Sequence, residues 1–480
     1  MKVLDMDSVV SRALSERFPR EAQARMLDLS SPEVWLRDLR ENIDFAFQPI
    51  VNINTGACYG VEALLRGYEN LGFDKIPDVF DYAHHNGMLY QTEITLKEIS
   101  IAKFAGLEMG QFVRLFFNID NRVLDSADYR PGHTSRILEE HGLSLRSICL
   151  EISERHEVSS GGNAFKVLER YRKRPYKLAL DDFGTGYAGL KVLYDYHPDF
   201  IKIDRYFINN IHIDEKKKLF MSNIVSLAHV LGITVVAEGV ETEHEFLTCK
   251  EIGCDLLQGY FVQRPVMDLN KLNSNYTQIG TLNSRDRRGV GDDRAIIGEQ
   301  IENIPALDFN MPMGEVFEVF RSNKHLAFFP VIDENEEPLG LIHDKDLKYY
   351  TYSMYGKELM SNKAYSKSLM DFVSVCPVAD ISMGAEKIIE IFSLSKNPDG
   401  IIISDSFRYV GFLSASSLLR VINEKNLTYA RDQNPLSKLP GNNVISDYVA
   451  DSLKDIDQSM TMIYFDFDNF KPFNDYYGYR

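Results

Sequence analysis

Cysteine is scarce. The 480 residues hold five (Cys58, Cys149, Cys249, Cys254, Cys376), scattered and without a Cys-x-x-Cys pair. That pattern excludes a disulfide framework and a thiolate zinc site, and it suits reduced thiols in a cytoplasmic protein. Long apolar runs are lacking too. None reaches the roughly 18 residues that a membrane-spanning helix needs, so no membrane span is expected. Positive charge is short: 53 Lys and Arg face 70 Asp and Glu, for a net charge of −17. An acidic chain is a poor partner for bulk nucleic acid. A phosphate ligand stays open, because divalent cations reverse the local potential of a carboxylate cluster. Residues 1–30 lack the apolar core of a signal peptide and read as an amphipathic helical segment.

What is present is globular. Hydrophobic residues make up 44% and charged residues 26%, and the length implies roughly two to four domains. Residues 31–275 carry one rhythm, in which a short apolar run ends in a polar residue and a helix-like stretch follows. The runs are FAFQPIVNI from Phe45, CYGVEALLR from Cys58, FVRLFFNID from Phe112, ICLEIS from Ile148, KLALDDFG from Lys177, FIKID from Phe200, TVVAEG from Thr234 and DLLQGYF from Asp255. Alternating strands and helices predict an α/β architecture with largely parallel pairing, and eight runs predict a (β/α)8 TIM-like barrel.

Residues 276–295 are polar and read as a linker. An internal repeat then covers 296–425: MPMGEVFEVF near Met311 parallels SMGAEKIIEIF near Ser382. Gly340 answers to Gly411, and Leu347 to Leu418. Two helix–strand–strand–helix copies predict a paired α+β module and not a solenoid, which needs more repeats. Residues 430–480 hold a third composition with a buried strand, MTMIYFDFD.

The functional signal lies in the barrel. Glu62, Asn118, Glu151, Asp181, Asp182, Lys202, Glu238 and Gln258 each fall at or just past the end of a predicted strand. In a (β/α)8 barrel those ends converge on the face where active sites are built. Gathered carboxylates repel unless cations neutralise them, and oxygen ligands favour hard ions such as Mg²⁺ or Mn²⁺. Adjacent Asp181 and Asp182 suit two metals about 3.5–4 Å apart, as in two-metal phosphodiester displacement. The competing reading is that each acid caps a helix.

The same stretch resembles the EAL phosphodiesterase family. FQPIV, EALLR, FFNID, LEISER, LALDDFGTGYAGL, FIKIDRYFI, VVAEGVET and LQGYFVQRP match its motifs in order. The resemblance implies that Glu62, Asn118, Glu151 and Asp181 hold one metal, that Asp181 bridges to a second, and that Asp182 binds this second ion. It implies that Lys202 contacts the attacking water and that Glu238 is a second-metal ligand or general base, with Glu62, Lys202 and Glu238 as catalytic residues. Gln48, Leu65, Arg66, Asn118, Asp181, Lys202 and Gln258 would lie against substrate. Glu154 and Glu241 would couple a loop to dimerisation. The implied activity is hydrolysis of cyclic di-GMP to linear pGpG by a homodimer, with two Mg²⁺ or Mn²⁺ per site. Departures from the pattern (Ala188 and Gly189 for two serines, Arg264 before Pro265 for lysine) remove no ligand. The alternative is a receptor that binds cyclic di-GMP without cutting it.

The repeat resembles a CBS pair, a module whose clefts commonly hold adenine nucleotides. Each copy keeps half of the ribose-binding signature: His343 to Asp346 in the first, Ser414 to Ser417 in the second. Two readings stand, a nucleotide site at Asp346 or a dimerising spacer in which Asp346 caps a helix. The tail resembles the start of a GGDEF domain, with Ser437 and Lys438 in its first motif and Asp466 and Asn474 in the metal and guanine strand. The resemblance implies a truncated α/β domain, since no GG[D/E]EF loop stands before Arg480. No cyclase activity is expected of it.

Overall fold

The structure is a computed structural model. It describes residues 31–110, 112–126, 130, 132–153, 176–185, 193, 198–285, 290–352, 368–395 and 399–432, with scattered positions beyond. The predicted N-terminal helical segment, Glu154, Ala188, Gly189 and the four GGDEF-like positions (Ser437, Lys438, Asp466, Asn474) lie outside the described residues.

All eight apolar runs form strands, and these close into one barrel in sequence order. The strands are β1 (Asp44–Asn52), β2 (Cys58–Arg66), β3 (Arg114–Ile119), β4 (Ile148–Ser153), β5 (Lys177–Phe183), β6 (Phe200–Ile203), β7 (Thr234–Ala237) and β8 (Leu256–Leu257). Their near-continuous apolar character follows from burial on both faces, by barrel interior and outer helices. The described helices are α1 (Pro32–Asn42), α2 (Ile76–His85), α3 (Leu89–Ala105), α4 (His133–Glu140), α5 (Arg205–Ile208), α6 (Glu215–Val230) and α7 (Glu243–Ile252). The single tryptophan, Trp35 of α1, is fully buried, packs on Phe73 and Tyr82, and donates from Nε1 to Thr92 Oγ1 at 2.7 Å.

One strand departs from the expected pattern. β1 runs antiparallel to both β2 and β8, while the other adjacent pairs are parallel. Only residues 53–57 join β1 to β2, whereas a parallel crossover needs about a dozen or more. Asn52 Oδ1 accepts from the amides of Asn54 and Thr55, and Gly56 takes φ +75°, so the chain reverses tightly. The barrel is therefore TIM-like, with a hairpin in place of the first strand–helix unit.

Beyond the barrel, α8 (Thr277–Arg285) and α9 (Val290–Gln300) occupy most of the stretch expected as a linker. The repeat follows as two three-stranded sheets of matching plan. The first holds β9 (Leu307–Asp308), β10 (Phe328–Ile332) and β11 (Pro338–His343), with α10 (Met313–Ser322) and α11 (Asp344–Tyr352). The second holds β12 (Val378–Asp380), β13 (Gly400–Asp405) and β14 (Arg408–Ser414), with α12 (Ala385–Leu394) and α13 (Ala415–Asp432). In each a short strand pairs in parallel with the middle strand, and the third returns antiparallel. The barrel and the repeat as far as Leu418 belong to one unit, and residues from 419 on form another. Among the described residues, no helix is long and apolar enough to cross a membrane.

Candidate active site

Side chains alternate across a strand, so a residue facing the barrel interior is followed two positions later by another. This period places Asn118, Glu151, Asp181 and Lys202 inside. Glu238 and Gln258 directly follow β7 and β8, where Glu238 N donates to Ile203 O at 3.1 Å and Gln258 N to Ala237 O at 2.8 Å. Three expected positions shift. Glu62, Glu151 and Asp181 sit within their strands, not at the ends, because β2 runs on to Arg66 as half of the β1–β2 hairpin, β4 to Ser153 and β5 to Phe183. Gly259 lets the chain after Gln258 reach the Val240 backbone, since a Cβ there would lie 2.1 Å from Val240 O.

Lys202 is the centre of the site. Its side chain is 1% exposed, and its Nζ lies 2.6 Å from Glu151 Oε1, 2.6 Å from Glu238 Oε1, 3.1 Å from Asp181 Oδ1 and 3.4 Å from Glu62 Oε2. Burial acts to strip the proton from this ammonium, but Asp181, Glu151, Glu238 and Glu62 outweigh it and hold the lysine charged. Burial pushes Glu151, Asp181 and Glu238 above the usual carboxylate range, opposed by Lys202 and reinforced by their acidic neighbours.

Amides hold the remaining acid. Glu62 accepts from Asn118 Nδ2 at 2.9 Å on one oxygen and from Gln258 Nε2 at 2.6 Å on the other. Gln258 Nε2 also lies 3.1 Å from Gln48 Oε1, and Gln48 donates to Gln263 O at 3.1 Å. Gln48 faces Glu62 directly across the antiparallel β1–β2 pair. This amide chain, visible in the sequence only as separate motifs, depends on the reversal of β1.

The remaining expected residues are spread more widely. Asp182 is half-buried with φ +55°, an uncommon conformation for a residue other than glycine. Leu65 is buried, and Arg66 turns a guanidinium donor back to Leu65 O at 2.7 Å. Glu241 is exposed and pairs with Arg205 at 2.7 Å. Asp346 lies far along the chain in the first turn of α11, 3.6 Å from His343 Nδ1, while His343 Nε2 contacts Asp399 Oδ2 at 2.8 Å. In the second copy Ser414 and Ser417 both donate to Glu302 Oε1. The half-signatures are thus engaged with protein groups.

The carboxylates suit divalent ions. Among the described residues no three acidic, His or Cys side chains already stand in a metal-holding arrangement, and the Lys202 ammonium sits where their oxygens converge. Yet both oxygens of Glu151 and Asp181 Oδ1 are buried without a hydrogen-bond partner. Glu151 Oε1 and Asp181 Oδ1 face only the Lys202 ammonium, at 2.6 Å and 3.1 Å. Unsatisfied buried anionic oxygens are costly, and hard cations satisfy them.

The EAL domain profile matches residues 34–265 and the CBS domain profile residues 297–352. The cyclic di-GMP phosphodiesterase RocR of Pseudomonas aeruginosa is 30% identical over 266 residues, which cover 54% of this chain and 67% of that protein. The probable cyclic di-GMP phosphodiesterase PdeG of Escherichia coli K12 is 29% identical over 257 residues, covering 51% of this chain and 49% of that protein. A solved standalone EAL protein from Vibrio cholerae O395, in its cyclic di-GMP-bound form, is 30% identical and covers 47% of this chain and 92% of its own, with a TM-score of 0.40. The chain spans about a third to a half of the length of several curated relatives it matches. From the two domain matches and the 30% identity to RocR over two thirds of that protein, the chain belongs to the EAL domain family and carries a CBS domain beyond the barrel.

Proposed function

We propose that the barrel is a metal-dependent phosphodiesterase that hydrolyses cyclic di-GMP to linear pGpG. The observation that carries this reading is the convergence of four carboxylates on Lys202 Nζ within 3.4 Å inside a closed barrel. The names of several relatives, RocR and PdeG among them, supply the substrate. Glu62, Asn118, Glu151 and Asp181 would hold one Mg²⁺ or Mn²⁺, and Asp181, Asp182 and Glu238 a second. Such ions supply Lewis acidity to the phosphodiester and lower the pKa of water. In the reaction a water oxygen joins phosphorus, the P–O3′ bond breaks, and the proton that water loses is matched by one taken up at the leaving 3′ oxygen. Glu238, held above the usual carboxylate range by burial, suits the proton-accepting role near neutral pH. Lys202 places fixed positive charge where negative charge grows. Gln48, Leu65, Arg66 and Gln258 would orient the dinucleotide, and Glu154 and Glu241 would couple the site to dimerisation.

The assay is purified chain with cyclic di-GMP and Mg²⁺ or Mn²⁺. Release of pGpG is expected, and Glu62→Ala should lower kcat/KM by about 100-fold or more, several kcal/mol of transition-state stabilisation. Tight binding without pGpG would establish a receptor in place of an enzyme.

Two further parts belong to this proposal. Exposed Tyr206, Ile213, Leu219, Phe220 and Leu227 on α5, α6 and the turn between them give an apolar face suited to a second copy, so sedimentation should find a dimer. The repeat acts as a regulatory CBS pair, roughly residues 296–425 beside a barrel at 31–275. An adenine nucleotide held at Asp346 would change the hydrolysis rate, and equal rates with and without ATP or AMP would remove that part.

A further inference from the structure

Beneath the charged site lies a single apolar layer. Two residues before Asn118, Glu151, Asp181, Lys202, Glu238 and Gln258 stand Phe116, Cys149, Ala179, Phe200, Val236 and Leu256. With Ile50 of β1 these form one buried cluster. Below Glu62 the corresponding residue is Gly60, where a Cβ would come within 2.6 Å of the Phe116 ring, so that ring fills the space. Each of these strands therefore rests its polar site residue on this layer.

Two partly buried aromatics pack against the layer, Tyr59 of β2 and Phe407. Phe407 comes from the repeat, at the turn between β13 and β14. Its ring centroid lies 4.5 Å from that of Tyr59, which in turn lies 5.8 Å from Phe200, and Phe200 lies 5.4 Å from Phe116. The turn is unusual. Ser406 and Phe407 have φ +52° and +71°, as a tight hairpin demands, but such positions favour Asn-Gly. A bulky residue there is strained and persists where its surroundings hold it. Ser406 N donates to Asp380 Oδ2 at 2.8 Å and fixes the turn to its own sheet. Phe407 lines one cavity of about 380 Å³ and another of about 120 Å³ at the barrel's edge.

We propose that Phe407 is a positioning residue for the candidate active site. Its ring, seated through Tyr59 under the apolar layer, sets the height of that layer and hence the placement of the oxygens that converge on Lys202. The second hairpin of the repeat is therefore a mechanical input to the site, and any change in the repeat that moves the turn reaches Phe200 and Lys202 through one packed layer. The catalytic consequence rests on the proposed phosphodiesterase reading.

The test uses the full chain with Phe407→Ala, Phe407→Leu and, as control, Phe112→Ala, an 83% exposed aromatic lining the same large cavity. Three quantities are read: thermal unfolding, Mn²⁺ Kd by calorimetry, and kcat and KM for cyclic di-GMP. Phe407→Ala should raise the Mn²⁺ Kd and lower kcat by about tenfold each, with KM changed less than about twofold. Phe407→Leu should fall between Ala and wild type, and Phe112→Ala should match wild type. Both Phe407 variants keeping wild-type Kd and kcat would overturn the proposal, as would a loss confined to melting temperature. If the alanine variant does not fold, the leucine variant against wild type decides alone. Wild-type protein that binds Mn²⁺ but releases no pGpG would overturn the proposed function, while the order of Kd values would still decide the role of Phe407.

Discussion

Lys202 shows how far a single residue can organise a site. An ammonium taken fully out of water costs several kcal/mol, which only close counter-charges offset. Here four acids surround it, so each side depends on the other. Lys202→Met removes the cation and leaves Glu62, Glu151, Asp181 and Glu238 facing one another. Without metal, that variant should lose about 3–5 kcal/mol of stability, and added Mn²⁺ should restore most of it by taking over the neutralisation. Thermal melts with chelator and with Mn²⁺ read both arms. An unchanged melting temperature in chelator would show that the lysine is not the counter-charge. At this scale the sequence was informative. Glu62, Glu151, Asp181, Lys202, Glu238 and Gln258 were legible because strand period and barrel convergence together fix where they point. Gln48 was legible only through its motif, since its contact with Gln258 needs the antiparallel register of β1.

At the scale of elements, α7 ties the loop after Glu238 to the barrel's outer layer. Thr242 accepts from Glu245 N at 3.2 Å, while Glu245 Oε2 accepts from Thr242 N and Glu241 N, a reciprocal cap. Glu245 Oε1 also accepts from Asn210 N at 2.9 Å. Burial alone would raise the pKa of this carboxyl, but the amides of Asn210, Glu241 and Thr242 outweigh it and hold it below its ordinary 4.5. A lowered folded pKa means that the ionised form is favoured by folding. Its stabilisation is full above about pH 4.5, the unfolded value, and is lost as pH falls through the lower folded value. Glu245→Gln should therefore cost about 1–2 kcal/mol at pH 7, with the gap to wild type closing as the medium is acidified below pH 4.5. Denaturant midpoints at a series of pH values measure this, and a gap that widens on acidification contradicts the assignment. The strand runs were readable from composition, but the direction of β1 was not. An Asn-Thr-Gly turn between two apolar runs was the available signal, and the expectation of a crossover helix overrode it.

At the scale of the molecule, the repeat grips the barrel by its two hairpins, and nothing in a one-dimensional pattern reveals that. Asp333, Glu337, Ser406 and Phe407 look like ordinary turn residues until the fold brings them under the barrel. The second hairpin supplies Phe407; the first supplies charge. Arg114 Nη1 contacts Glu337 Oε1 at 2.6 Å, and Arg146 Nη1 contacts Asp333 Oδ2 at 3.0 Å, with both arginines and Asp333 buried. Arg146 also lies over the Phe309 ring, 4.0 Å from its centroid. Buried pairs of this kind are costly to break from one side, about 3–5 kcal/mol, because the partner is left charged in a dry place. Arg146→Met should show that cost. Asp333→Asn keeps an oxygen for the amides of Asn335 and Glu337, which Asp333 Oδ1 holds at 2.9 Å, so it tests the charge and not the turn. The double variant should be less damaged than the two single losses combined, with a coupling of about 1–3 kcal/mol. Wild type should unfold in one transition spanning barrel and repeat, and the Arg146→Met chain should split into two, as expected when elements no longer share a buried interface. Strict additivity together with a single unchanged transition would mean that the ion pair does not join the two parts, leaving the aromatic contact at Phe407 to do so.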